Sequence, residues 1–197
     1  MSELSTLSSA SSALTSIAQL DAYRKFQLND PAYPEFMRSF YAPHDDVHGV
    51  LKRVIGSTQR SLVIAMYGYD DDELAEMIAH ILENDDIFVQ ITLDKSQAGG
   101  VHERELLAKY KAYSDANRVA IGTSERGAIM HRKMVIVDGI WRITGSTNWS
   151  DAGETKQDNE LTVVQSVSAC NEARHILDLE HEKARTQMQK ALDKAAA

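Results

Sequence analysis

His131-Arg-Lys-Met-Val-Ile-Val-Asp138-Gly-Ile-Trp-Arg-Ile-Thr-Gly-Ser-Thr-Asn148 is the stretch on which the reading of this chain turns. Val135, Ile136 and Val137 precede Asp138-Gly139, and Ile140, Trp141 and Ile143 follow it, so two β-favouring runs flank a turn dipeptide. That pattern predicts a tight hairpin. With Asp138-Gly139 as a two-residue loop, Val137 faces Ile140, Lys133 faces Thr144 and His131 faces Ser146. Side chains alternate along a strand and opposite residues share a face, so this register gathers His131, Lys133, Ser146 and Asn148. Asp138 falls on the other face and reads as structural.

An imidazole, an ammonium, a hydroxyl and a carboxamide form a cluster with a nucleophile or base, a fixed positive charge and neutral donors. Such donors suit oxygens that are already anionic and become more crowded in a transition state, as in phosphoryl transfer. A phosphodiester fits better than an ester.

His131-x-Lys133, Asp138, and Gly145-Ser146-x-Asn148 stand at the spacing of the HKD signature, and the chain resembles the phospholipase D superfamily from roughly Phe40 to Lys183. A short chain with a single motif is similar to the small bacterial endonucleases of that superfamily. Leu93-Asp94-Lys95-Ser96-Gln97 and Glu154-Thr155-Lys156 resemble stretches of the same enzymes. The resemblance implies that Asp138 and Gly145 are structural and that Glu160 orients the catalytic histidine through its second ring nitrogen. Asp158 competes for that last role.

Outward from the hairpin, Leu62 to Tyr67 and Ile87 to Leu93 read as buried strands. Between them lies a helix carrying Leu74, Met77, Ile78, Ile81 and Leu82, with a capping-box start at Asp70 and Glu73. This is a βαβ unit with parallel strands. With the resemblance, it implies an α/β fold, a mixed, largely parallel sheet flanked by helices on both faces as an α/β/α sandwich. Lys95, at the C-terminal end of the second strand, is a candidate substrate-rim cation, and Lys156 is a second.

Phe40 to Ala42 reads as an edge strand ending at Pro43, followed by a helix through Val47, Val50, Leu51, Val54 and Ile55. Spacing by four on a helix would put His44 and His48 on one face, but without a clear third ligand the acids beside them read as a solvated helix start. Glu103 to Tyr113 predicts a helix, Arg118 to Ile121 a strand, Asp151 to Asn159 a polar loop and Leu161 to Gln165 a strand. Ala169 to Leu192 predicts a long terminal helix. His181-Glu182-Lys183 repeats His-x-Lys inside it without the rest of the motif. Residues 1–36 are Ser-rich and broken by Pro31 and Pro34, and read as a flexible or loosely docked extension to a nuclease-like domain over 37–197.

The 197 residues suit one core. Twenty-nine acidic against 21 basic residues give a net charge of −8, so any nucleic-acid site must be local, and its affinity modest and salt-sensitive. No run approaches a membrane span, and Met1 to Gln19 does not resemble a secretory signal, which points to the cytoplasm and to no stable membrane association. The single Cys170 reads as a buried apolar thiol.

Because the superfamily brings two motifs to one site and this chain holds one, the resemblance implies a homodimer with a composite site. His131 of one copy would attack phosphorus to give a phosphohistidine, and His131 of the other would act as acid and then base. Lys133, Asn148 and Ser146 would hold the oxygens. No cofactor or metal is implied, because two ammonium groups supply the positive charge. A bell-shaped pH dependence follows from two coupled imidazoles. Nucleic acid is the expected substrate, DNA ahead of RNA; a lipid phosphodiesterase and a noncatalytic nucleic-acid-binding module are the alternatives.

Overall fold

The computed structural model describes residues 13–25, 32–97 and 119–196. Seven strands form one sheet: β1 (Met37–Ala42), β2 (Ser61–Met66), β3 (Phe88–Asp94), β4 (Val119–Gly122), β5 (Lys133–Val137), β6 (Trp141–Gly145) and β7 (Asn159–Gln165). Their spatial order is β1-β7-β6-β5-β2-β3-β4. The helices are α1 (Val47–Ile55), α2 (Asp72–Leu82), α3 (Asp151–Thr155) and α4 (Val167–Ala196), with a 3-10 helix at Ile17–Tyr23. The helix expected at Glu103 to Tyr113 lies outside the described residues, as does Arg118.

The α/β class holds, but the sheet is mostly antiparallel rather than largely parallel. Only β2–β3 and β3–β4 are parallel, whereas β2–β5, β5–β6, β6–β7 and β1–β7 are antiparallel. The reason is connectivity: the α2 crossover makes β2 and β3 parallel, whereas the tight turn after β5 and the connection through α3 after β6 return each strand antiparallel to the one before it.

The central hairpin forms where the sequence places it, with one change of register. Asp138 and Gly139 both take positive φ (54° and 68°), and Ile140 N donates to Val137 O at 3.0 Å. This is the turn that Asp-Gly favours. Ile140, however, is left out of the ladder, and its carbonyl instead accepts from Ser166 N at 2.9 Å. Val137 therefore pairs with Trp141 and Met134 with Thr144, one step from the predicted register. An extra residue on one strand is a bulge, and it moves every later side chain to the opposite face.

Alternation along β2 divides the core in two. Leu62, Ile64 and Met66 point to the side covered by α1, α2 and the 3-10 helix, together with Phe40, Val135, Val137, Trp141, Ile143, Leu161 and Val163. Val63 and Ala65 point to the other side, where Ile136 and Met130 pack against Cys170, Ala173 and Leu177 of α4. The 3-10 helix packs on this first core. Leu14, Ile17 and Leu20, at a spacing of three, are buried in the first core, and Ser16 caps the helix by accepting from Ala18 N.

Two local starts also differ from expectation. The N-cap of α2 is Asp71, one residue later than predicted, accepting from Leu74 N at 2.8 Å. The first part of the expected loop after Trp149 is helix α3, because Ser150 accepts from Gly153 N at 3.1 Å and caps it. No helix of the described residues is long and apolar enough to cross a membrane.

Candidate active site

The site is built where β2 and β5 end together. Met66 pairs with Lys133, and one step further Tyr67 N donates to Arg132 O at 2.8 Å. Tyr67 thus lies beside the His131–Lys133 segment. Its ring meets the His131 imidazole edge-on at a centroid distance of 4.6 Å, and the Lys133 ammonium lies 4.9 Å from the same ring's centre. A cation over an aromatic face is attracted by roughly 0.5–2 kcal/mol, more as water is excluded. Lys133 is 7% exposed, and burial pulls its pKa below the ordinary lysine range.

Asn148 arrives from the loop after β6, which is joined to the loop after β2. Trp149 N donates to Gly68 O at 2.9 Å, and Asp70 N to Trp149 O at 2.6 Å. Tyr69 and Trp149 stack edge to face beneath this seam. The Asn148 carboxamide lies so close to Gly68 that a Cβ there would sit 2.9 Å from its Cγ and displace it. Asn148 Oδ1 is buried with no hydrogen-bond partner among the described residues. His131 and Lys133 on Tyr67, and Asn148 on Gly68, therefore converge on two adjacent residues.

The other predicted site residues are placed differently. Ser146 Oγ donates to Asn159 Oδ1 at 2.9 Å and accepts from Glu160 N at 3.0 Å, so its hydroxyl ties β6 to β7; the shifted register removes the expected pairing with His131. The Glu160 carboxylate accepts from Ser39 Oγ at 3.2 Å and Thr162 Oγ1 at 3.0 Å, and among the described residues no hydrogen bond joins it to His131. The Asp138 carboxylate accepts from the backbone N–H groups of Gln59, Arg60 and Ser61, fixing the hairpin turn to the start of β2. Gly145 lies so near β7 that a Cβ would collide with the Glu160 carbonyl. Lys95 is exposed, with its own N–H donating to Gly122 O at 2.7 Å. The Lys156 ammonium is paired with Asp151. His44 precedes α1 instead of lying on it, so it shares no helix face with His48.

Two contributors, Asp94 and Gln97, come from the Leu93–Gln97 stretch, for which the sequence reading offered only Lys95 as a site residue. Asp94, fully buried at the end of β3, accepts from Ser96 and from Met130 N, anchoring the backbone just before His131. Gln97 donates to the Tyr67 hydroxyl at 3.1 Å and holds the ring. An acid closing the buried strand Phe88–Asp94 was the available signal for the first. A cleft of about 700 Å³ opens beside His131, between β4 and α4, with Ile129, Ile176 and Leu179 on its apolar wall.

A family profile described as "Cardiolipin synthase, PLD-like domain" matches residues 51–179. The chain belongs to the phospholipase D-like family. A mitochondrial cardiolipin hydrolase from Chlamydomonas reinhardtii is 26% identical over 110 residues, which cover 56% of this chain and 46% of that protein. The chain thus matches less than half the length of this curated relative. Among solved structures, Nuc from Salmonella typhimurium, a phospholipase D family member, superposes with a TM-score of 0.64 at 18% identity, covering 75% of this chain and 94% of Nuc. NucT from Helicobacter pylori gives 0.65 at 21% identity, covering 75% and 96%. Phosphatidylserine synthase from Haemophilus influenzae gives 0.59 at 14%, covering 81% and 46%. These likenesses establish the phospholipase D-like fold.

Proposed function

We propose that this phospholipase D-like chain is a phosphodiesterase that cleaves nucleic acid as an endonuclease, working as a cytoplasmic homodimer. The observation that carries the proposal is the meeting of His131, Lys133 and Asn148 at Tyr67 and Gly68, with the ammonium desolvated against an aromatic ring. In that setting Lys133 stabilises anionic phosphoryl oxygens more strongly than in water. His131 of one copy attacks phosphorus, forming a P–N bond while the leaving oxygen takes a proton from the imidazole of a second copy. Water, losing a proton to that second imidazole, then breaks the P–N bond.

Asn148 donates to a non-bridging oxygen. Ser146 acts through the β6–β7 link that positions Asn148. Glu160 supports the same strand edge, and pairing with His131 would require it to leave Ser39 and Thr162. Lys95 serves as a rim cation, and Lys156 joins it only when released from Asp151.

The test is a cleavage panel of single- and double-stranded DNA and RNA in excess EDTA, run beside His131→Ala. Cleavage that survives chelation and vanishes in the variant is expected. Cleavage that persists in the variant overturns the mechanism. A second reading, lipid phosphodiester cleavage, draws support from the apolar wall of Ile129, Ile176 and Leu179 beside His131 and from the cardiolipin-directed names of the family profile and the curated relative. Release of phosphatidic acid from cardiolipin vesicles, with no nucleic acid cut, would select it.

A further inference from the structure

Three parts of the chain, distinct from the His131 group, bring ligating atoms to one point. His48 is on α1, Asp71 caps α2 and Glu154 is on α3. His48 Nδ1 lies 2.6 Å from Glu154 Oε2 and 3.1 Å from Asp71 Oδ2, and one donor atom from each residue falls within 4.8 Å of the others. A second observation is independent of the clustering: Glu154 is 2% exposed, and its Oε1 is buried with no hydrogen-bond partner among the described residues. A buried carboxylate oxygen without a partner is destabilising unless something fills the place.

We propose that His48, Asp71 and Glu154 bind one divalent transition-metal ion of the zinc or manganese class. One imidazole nitrogen with two carboxylates suits such an ion better than magnesium or calcium, which favour oxygen alone. The far side of the ring is prepared for the same purpose. His48 Nε2 is 2.9 Å from Glu73 Oε2, and Glu73 is held in turn by Lys52. A carboxylate on the second nitrogen fixes the tautomer that presents Nδ1 to a cation.

The charges agree with this assignment. Asp71, Glu73 and Glu154 outnumber His48 and Lys52. Excess negative charge is thus confined at a point that only a proton or a cation can neutralise. The ion would clamp α3 to α1 and α2. Because Asn159 Nδ2 donates to Gly153 O at 2.9 Å, the clamp would also stiffen the loop that carries Asn148. Its role is structural and does not rest on the phosphodiesterase reading.

The test uses the full chain, stripped by a chelator and then titrated with Zn²⁺ and with Mn²⁺ by calorimetry. The expected result is one ion per chain, a raised unfolding temperature, and at least tenfold weaker binding in both Glu154→Gln and His48→Gln. Nitrogen NMR of the unsubstituted chain gives a readout that needs no variant: Zn²⁺ should shift the Nδ1 resonance of one histidine. Failure of the unsubstituted chain to bind Zn²⁺ or Mn²⁺ would leave only a proton at the site and overturn the proposal. Undiminished binding in both variants would do the same, by placing the ion elsewhere.

Discussion

Lys133 sits in surroundings unlike those of an ordinary surface lysine. Its pKa is lowered by desolvation and its ammonium is held against Tyr67, so its charge acts in a partly water-free setting. Lys133→Met keeps the stem and removes the charge. It is expected to lower kcat by about 10²–10³-fold, as loss of one anion-stabilising donor does, with the far-UV circular dichroism unchanged. Cys170 makes the opposite case. Burial pushes its thiol up to about 11 against the influence of Arg142, and its side chain packs with Ala173 and Leu177. A thiol reagent at pH 8 is therefore expected to leave Cys170 unmodified in the folded chain and to label it fully in denaturant. Labelling in the native state would show that α4 lifts from the sheet.

At the scale of elements, the β5–β6 hairpin and β7 decide what reaches the site. The Asp138 carboxylate on three successive backbone N–H groups fixes the turn to β2, and β2 in turn delivers Tyr67 and Gly68. Asp138→Ala is expected to lower stability by about 1–2 kcal/mol, the range seen when a capping carboxylate is lost, as read by urea unfolding. Gly145 is more sensitive, because a methyl group there meets the Glu160 carbonyl and not a yielding side chain. Gly145→Ala is expected to cost about 1–3 kcal/mol through a forced backbone shift. Activity should fall further than stability alone explains, since the β6–β7 ladder and the Ser146 link move together. A variant with unchanged unfolding midpoint and kcat would refute that close approach.

At the scale of the molecule, one motif per chain makes the proposed catalyst a pair. If both imidazoles of a composite site are needed, a dimer with one His131→Ala subunit is inactive. An equal mixture of wild type and variant, after subunit exchange, should then retain about a quarter of the activity expected of undiluted wild-type dimers, by the statistics of a symmetric pair. Retention of half would mean that each chain works alone. The net charge of −8 adds a second constraint, because attraction to a polyanion must come from the few cations around His131. Substrate affinity should accordingly fall only roughly tenfold between 50 and 200 mM salt, less than for proteins with many phosphate contacts.

The sequence by itself determined most of the elements and nominated the residues proposed for the chemistry. Period-two runs around Asp138-Gly139 marked the hairpin, the apolar run at Leu62 marked β2, and the stripe through Leu74, Ile78 and Leu82 marked α2, because these patterns are local and repeat with the geometry of the backbone. His131, Lys133 and Asn148 were singled out by the resemblance of their spacing to the HKD signature. What only the tertiary structure decided were pairings between distant segments. The bulge at Ile140 exists because its carbonyl finds Ser166, and that one-residue shift moved Ser146 to Asn159. The strand directions, mostly antiparallel, depended on which neighbours met in the sheet. Tyr67 entered the site because β2 and β5 end level, and the His48, Asp71 and Glu154 cluster formed because three helix ends converge on one side of it. No local period in the sequence encodes such meetings, since they are set by packing between segments far apart in the chain.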